Sequence, residues 1–193
     1  PLLRSELEIA RFSGWQGHID PGAQSGADAA QPSSSGTALP RAKVLTEGAI
    51  RNALLARIDA AGSTDNIDIA MFYLSDHGIV QALVAASLRG AGVRLILDPN
   101  KDAFGHAKSG IPNQPAASDL VASSDGAIHV RWYRTHGEQF HTKLAMVYGP
   151  QRLWLTAGSA NLTRRNLNDY NLEANMAVEV ARVLRVAAVD IDL

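Results

Sequence analysis

The chain has 193 residues, with 18 Lys and Arg against 19 Asp and Glu and a formal net charge of -1. Apolar residues make up 46% of it, enough to build a core. Cysteine is absent, which excludes disulfides and thiolate metal sites, and no general basic excess is present of the kind that grips nucleic acid along its length.

No apolar run approaches membrane-spanning length and no secretory leader stands at the start, so a cytoplasmic or membrane-peripheral location is expected. The chain opens at Pro1 rather than Met, as an excised piece of a longer polypeptide would. Residues 1–19 mix charge with Leu2, Leu3, Leu7, Ile9 and Phe12, and read as a stray terminal segment. Residues 20–42, DPGAQSGADAAQPSSSGTALPRA, have no periodicity and almost no large apolar group, so they read as linker. The division expected is therefore an N-terminal segment and linker over 1–42 and one folded lobe over 43–193.

From there the pattern is βαβ-like. Thr46 is placed to cap a helix over 47–61 whose stripe is Ile50, Leu54, Leu55 and Ile58. Residues 67–73 read as a strand. Ser75 or Asp76 then caps a helix over 76–89, which Gly90 and Gly92 end. Residues 93–97 form the next strand, and Asp98-Pro99-Asn100 stops it. Residues 98–118 are a long loop of the kind that often binds ligands. A short helix near 115–123 and a strand over 128–133 follow, then a turn leads into a strand carrying His141. Leu153–Ala157 is a strand, 161–166 a turn or short helix, and Leu172–Val180 a further strand, with 181–193 compatible with a helix. Strands and helices in this alternation imply an α/β fold with a mixed, largely parallel sheet flanked by helices.

The chemistry concentrates between Phe140 and Glu173, FHTKLAMVYGPQRLWLTAGSANLTRRNLNDYNLE. Residues i and i+2 of a strand share a face, so His141 and Lys143 point the same way, as do Ser159 and Asn161 if the extended geometry persists. If the two strands are neighbours, one nucleophile, one cation and two neutral hydrogen-bonding groups converge. That set suits a phosphate ester. Neutral imidazole can attack phosphorus, a lysine offsets charge on the non-bridging oxygens, and Asn and Ser donate to them; no metal or other cofactor is required. Taken singly, each is ordinary: a strand histidine, an edge lysine, a turn at Gly158-Ser159. The recurrence of all these types at this spacing favours the functional reading.

His141-Thr142-Lys143, then Gly158-Ser159-Ala160-Asn161, then Asn171-Leu172-Glu173, resembles the phospholipase D superfamily, whose motif is H-x-K, four residues, Asp, and a G-S-x-N segment one strand later. The resemblance covers residues 43–180. The stretches IAMFYLSDHGIVQAL, VRLILDPNKDAFG, RWYRTHGEQFHTK and GSANLTRRNLNDYNLEAN resemble the second repeat of a bacterial phospholipase D-like group. One position departs: the motif Asp falls at 148, where this chain has Tyr148. In the family that Asp is more structural than chemical. The resemblance implies phosphodiester hydrolysis or phosphatidyl transfer through a phosphohistidine. His141 would be nucleophile, Lys143 and Asn161 would hold phosphate oxygens, Ser159 would support them, and Glu173 would orient His141. It also implies a second H-x-K motif, because family sites use one histidine as nucleophile and another as general acid. This chain has one, so the partner is an upstream repeat or a second copy across a dimer axis.

Arg164 and Arg165 follow the Asn161 turn and could bind a phosphate or polar headgroup, and Asn100 lies at a strand end where α/β sheets bind ligands. His106, His129 and His136 lack the paired spacing of a zinc site. Trp132 and Trp154 read as core. The expected substrate is a phospholipid headgroup ester, with possible peripheral contact to a membrane. A nuclease of the same superfamily and a non-catalytic phosphate-binding lobe are the alternatives.

Overall fold

Strict alternation of buried and half-buried residues builds the central strands. In β2 (Asn66–Met71) Ile67, Ile69 and Met71 are buried while Asn66, Asp68 and Ala70 are half-exposed. β3 (Gly92–Leu97) does the same with Val93, Leu95 and Leu97. The period of two puts these side chains on one sheet face. Three helices lie against it: α1 (Gly48–Asp59) through Ile50, Leu54 and Ile58, α2 (His77–Leu88) through Ile79, Leu83 and Ala86, and α3 (Asn113–Ser123) through Ala116, Ala117 and Leu120. Burying each Ile or Leu among these side chains contributes about 1.5–3 kcal/mol. The structure is a computed structural model, and it describes residues 40–100, 102–103, 106–107, 109–168 and 170–181. The expectations for residues 1–39 and 182–193 lie outside the described residues.

The remaining elements are β1 (Arg41–Thr46), the small hairpin β4 (Asp102–Ala103) and β5 (His106–Ala107), β6 (His129–Trp132), β7 (Lys143–Gly149), β8 (Arg152–Gly158), the single turn α4 (Arg164–Leu167) and β9 (Ala174–Val180). Seven strands form one sheet in the order β1-β9-β8-β7-β2-β3-β6. β2–β3 and β3–β6 are parallel, and every other pairing in this sheet is antiparallel. The α/β class and the mixed sheet stand. The expectation of a largely parallel sheet does not, because the turn at Pro150-Gln151 joins β7 to β8 as a hairpin, which is antiparallel by construction.

Local signals explain the ends of α2. The Asp76 carboxylate accepts from the Ile79 amide at 3.0 Å, so Asp76 rather than Ser75 is the cap. Gly90, at φ +92°, takes the left-handed turn after the helix. The start of α1 differs from expectation. Thr46 ends β1, and Glu47 takes the position before the helix at φ 51° without a side-chain cap. β1 begins at Arg41, within the stretch read as linker, because it pairs with β9 throughout, from Arg41↔Glu179 to Thr46↔Ala174.

Candidate active site

The site forms where four strand ends meet at one end of the sheet. β2 ends there, β7 begins, β8 ends and β9 begins: Met71 pairs with Lys143, and Gly158 pairs with Asn175. The chain beyond Met71 stitches these segments together. The Phe72 amide donates to the Thr142 carbonyl at 2.8 Å, the Tyr73 amide to Asn161 Oδ1 at 3.2 Å, and the Leu162 amide back to the Tyr73 carbonyl at 3.0 Å. Two residues of one strand extension, Phe72 and Tyr73, thereby hold the H-x-K segment beside the G-S-x-N segment through three hydrogen bonds.

Phe72 is the floor of the site and is buried. The His141 ring packs on it at 4.7 Å between centroids, and Lys143 Nζ stands 5.2 Å from the same ring centre. Lys143 is 8% exposed, and its ammonium folds back to donate to the His141 carbonyl at 3.1 Å. Partial burial lowers the His141 pKa from its ordinary value, the Lys143 charge lowers it further, and Asp98 opposes both. The imidazole is thus biased toward the neutral, nucleophilic form. Burial also lowers the Lys143 pKa, against the pull of Glu173. His141 itself precedes β7, which starts at Lys143, and it is exposed to solvent.

Glu173 is buried just before β9. Its carboxylate accepts from the Ser159 hydroxyl and from the Asn166 amide, both through short hydrogen bonds. Its own backbone amide donates to the Glu47 carboxylate at 3.1 and 3.2 Å, and its carbonyl accepts from the Glu47 amide at 3.3 Å. No hydrogen bond joins Glu173 to His141 among the described residues. Its electrostatic reach is to Lys143. Ser159 is likewise committed: its oxygen donates to Glu173 and accepts from the Ala174 amide at 3.1 Å. Ser159 supports Glu173 rather than presenting a free hydroxyl. Asn161 uses its carbonyl oxygen on Tyr73, which turns the other half of the amide away from that bond.

Gly158 is explained by packing. A Cβ there would meet the Ala174 carbonyl oxygen at 2.3 Å and Asn175 Cα at 2.6 Å. Only glycine lets β8 and β9 approach this closely where Ser159 must reach Glu173.

Arg164 and Arg165 are exposed on α4, and Arg165 Nε donates to Asn171 Oδ1 at 3.1 Å. Both face solvent. Asn100 does not. It is 1% exposed, its side-chain amide donates to the Phe72 carbonyl and to Asp98, and its side-chain oxygen accepts from the Asn113 amide. The expectation that Asn100 binds substrate therefore gives way to a supporting role, since its polar atoms are used inside the protein. Trp154 is core at 3% exposure, but Trp132 is 44% exposed, because β6 is an edge strand covered on one side only.

Tyr148 lies at the other end of β7, opposite Asn66. Its hydroxyl donates to Asp68 at 3.0 Å and accepts from Arg94 at 2.9 Å, beside a bidentate Arg94–Asp68 pair. Burial and Asp68 raise the Tyr148 pKa, and Arg94 offsets part of that. Tyr148 lies five residue steps along the strand from Lys143, about 16 Å at the usual rise. The departure from the motif thus falls in a surface cluster far from the histidine.

Sequence reasoning missed Phe72, Glu47, Asn113 and Asn166. Thr163 and Asn166 carried a usable signal, since Thr163 caps α4 by accepting from the Asn166 amide at 3.4 Å. Among the described residues, no group of three or more His, Asp or Glu side chains converges as a metal site would.

Comparison with known proteins bears on the family and the fold. The family described as cardiolipin synthase, PLD-like domain, matches residues 54–191. The fold is similar to that of Nuc, a phospholipase D family member from Salmonella typhimurium, with a TM-score of 0.56 and 22% identity over 75% of this chain and 85% of that one. It is similar to NucT from Helicobacter pylori, with a TM-score of 0.53 and 16% identity over 72% of this chain and 86% of that one. It is also similar to phosphatidylserine synthase from Haemophilus influenzae Rd KW20, with a TM-score of 0.54 and 15% identity over 74% of this chain but 35% of that one. At these identities the likeness carries the fold. No curated protein matches the chain by sequence. The family match over most of the chain, with the H-x-K and G-S-x-N segments held side by side by Phe72 and Tyr73, places the protein: it belongs to the cardiolipin synthase, PLD-like domain family of the phospholipase D superfamily.

Proposed function

We propose that this chain is one lobe of a phosphodiesterase that acts on phospholipid headgroup esters through a phosphohistidine at His141. The observation that carries the reading is the pair His141 and Lys143 on Phe72: an exposed imidazole biased toward its neutral form beside a buried ammonium. An imidazole nitrogen attacks phosphorus and the bond to the leaving alcohol breaks. The alcohol takes its proton from a second histidine on the partner lobe, which is either an upstream repeat or a second copy of this chain. Water or another alcohol then attacks the phosphohistidine and releases His141. Lys143 and the amide of Asn161 hold the non-bridging oxygens, Ser159 and Asn166 fix Glu173, and Glu173 balances the Lys143 charge. Arg164 and Arg165 receive the headgroup.

A phospholipid substrate is supported by the cardiolipin synthase description of the family and by exposed apolar groups near the site: Tyr133 at 38%, Tyr170 at 65% and Leu172 at 55%. Such groups suit peripheral contact with a lipid interface. No helix of the described residues is long and apolar enough to cross a membrane.

The test is turnover of phosphatidylglycerol vesicles and of single-stranded DNA in excess EDTA, with native mass measured on the same preparation. The reading expects release from the vesicles by a dimer or a lobe-paired form, insensitive to EDTA and abolished in His141→Ala. Turnover of DNA alone would replace the phospholipid by a nucleic-acid substrate. Turnover that survives His141→Ala would overturn the assignment of the nucleophile.

A further inference from the structure

Asp98 is a buried carboxylate that this mechanism leaves unused. It directly follows β3 at 2% exposure, and its backbone amide donates to the Met71 carbonyl at 3.1 Å. Three N–H groups point at its side chain. The Asn100 backbone amide reaches Oδ1 at 2.6 Å, the Asn100 side-chain amide reaches Oδ1 at 3.0 Å, and the Phe140 amide reaches Oδ2 at 2.7 Å. A carboxylate offers acceptors only, which is what three donors require. No ion pair to Asp98 occurs among the described residues.

The group is anchored from below by Asn113, which is fully buried. Asn113 donates to the Asp98 and Phe72 carbonyls at 2.8 Å each and accepts from the Leu74 amide at 2.8 Å. Asn100 closes the loop by donating to the same Phe72 carbonyl at 3.1 Å. The result is a polar knot that fixes the floor residue Phe72 and the residue immediately before His141 with one set of bonds. A buried negative charge without a cation is costly. It is compensated when a neighbour becomes positive, and His141 becomes positive when it takes a proton.

We propose that Asp98 is the positioning residue of His141: through the Phe140 amide it fixes the backbone that carries the imidazole, and its charge stabilises the imidazolium, the role that the family resemblance would give to Glu173. The inference rests on the reading of His141 as the reacting group. The charges that act on His141 are Lys143, two residues along, and Asp98 from the end of β3; they act in opposite directions. Glu173 acts on Lys143 instead, with both carboxylate oxygens held by Ser159 and Asn166.

The experiment is an NMR titration of the histidine side chains in the full chain, compared among wild type, Asp98→Asn and Glu173→Gln. Asp98→Asn keeps the size and removes the charge. The His141 midpoint is expected to fall by about half a unit to one unit, while His129 and His136 keep theirs and Glu173→Gln leaves His141 in place. If Asp98→Asn does not fold, the wild type still decides: the Asp98 carboxyl carbon shift must inflect at the His141 midpoint. A midpoint that moves in Glu173→Gln and not in Asp98→Asn, or an Asp98 signal flat through the His141 titration, would overturn the proposal. The titration needs no substrate, so failure of turnover would count against the function proposed above and not against this coupling.

Discussion

The hydroxyl of Ser159 donates to the carboxylate of Glu173, and the same carboxylate accepts from Asn166 on its other oxygen. Glu173 therefore faces two donors inside a buried site. In Glu173→Gln one oxygen becomes an NH2 group and meets a donor with a donor. The expected cost is about 1–3 kcal/mol in urea unfolding. Ser159→Ala removes one donor and leaves the other, so its loss should be smaller than that of Glu173→Gln. Equal losses would mean that Asn166 does not hold the second oxygen.

Gly158→Ala tests the close approach of β8 and β9. A methyl group there meets backbone atoms, which cannot step aside as a flexible side chain can. We expect a loss of about 1–3 kcal/mol together with a shift of the Ser159 and Ala174 amide resonances. An unchanged melting temperature would show that the strands have room to part.

The His141 pKa is lowered on folding, first by burial and then by Lys143. Between the folded value and the ordinary value of about 6.5, the unfolded chain binds a proton that the folded chain refuses. Stability should rise with pH through that window and fall as pH drops through it. His141→Gln removes this contribution. Melting curves recorded from slightly acid to neutral pH should therefore be flatter for the variant than for the wild type.

Lys143 is buried, and burial acts against its charge. Lys143→Met keeps the length of the side chain and removes the ammonium. The expected outcome is a melting temperature no lower than wild type, with turnover in the paired form reduced about a hundred- to a thousand-fold. A variant that keeps its turnover would show that phosphate oxygens are held elsewhere.

Tyr148→Phe removes the hydroxyl that joins Asp68 and Arg94. The Arg94 side chain of that cluster is 61% exposed, so the loss should be under about 1 kcal/mol. Turnover should be unchanged, because the cluster lies at the far end of β7. A loss of activity would tie the motif position to the chemistry after all.

Much of this architecture was legible in the chain because it is local. Alternation fixed β2, β3 and β9, the apolar stripes fixed α1 and α2, and glycine at 90 ended a helix, each through backbone geometry within a few residues. His141, Lys143, Ser159, Asn161 and Glu173 stood out by type and spacing. What only the tertiary structure decided is who meets whom. Tyr73 reaches Asn161 across 88 positions, Phe140 reaches Asp98 across 42, and Glu47 reaches Glu173 across 126. No local propensity encodes such a pairing. It follows from the strand order, which brings the ends of β2, β3 and β8 to one place. The same order made Asn100 a buried support, left Trp132 on an open edge, and put Phe72, an unremarked residue in the sequence, under the histidine. Side-chain types are written in the sequence, but a burial cost or a missing hydrogen-bond partner exists only once distant segments are packed together.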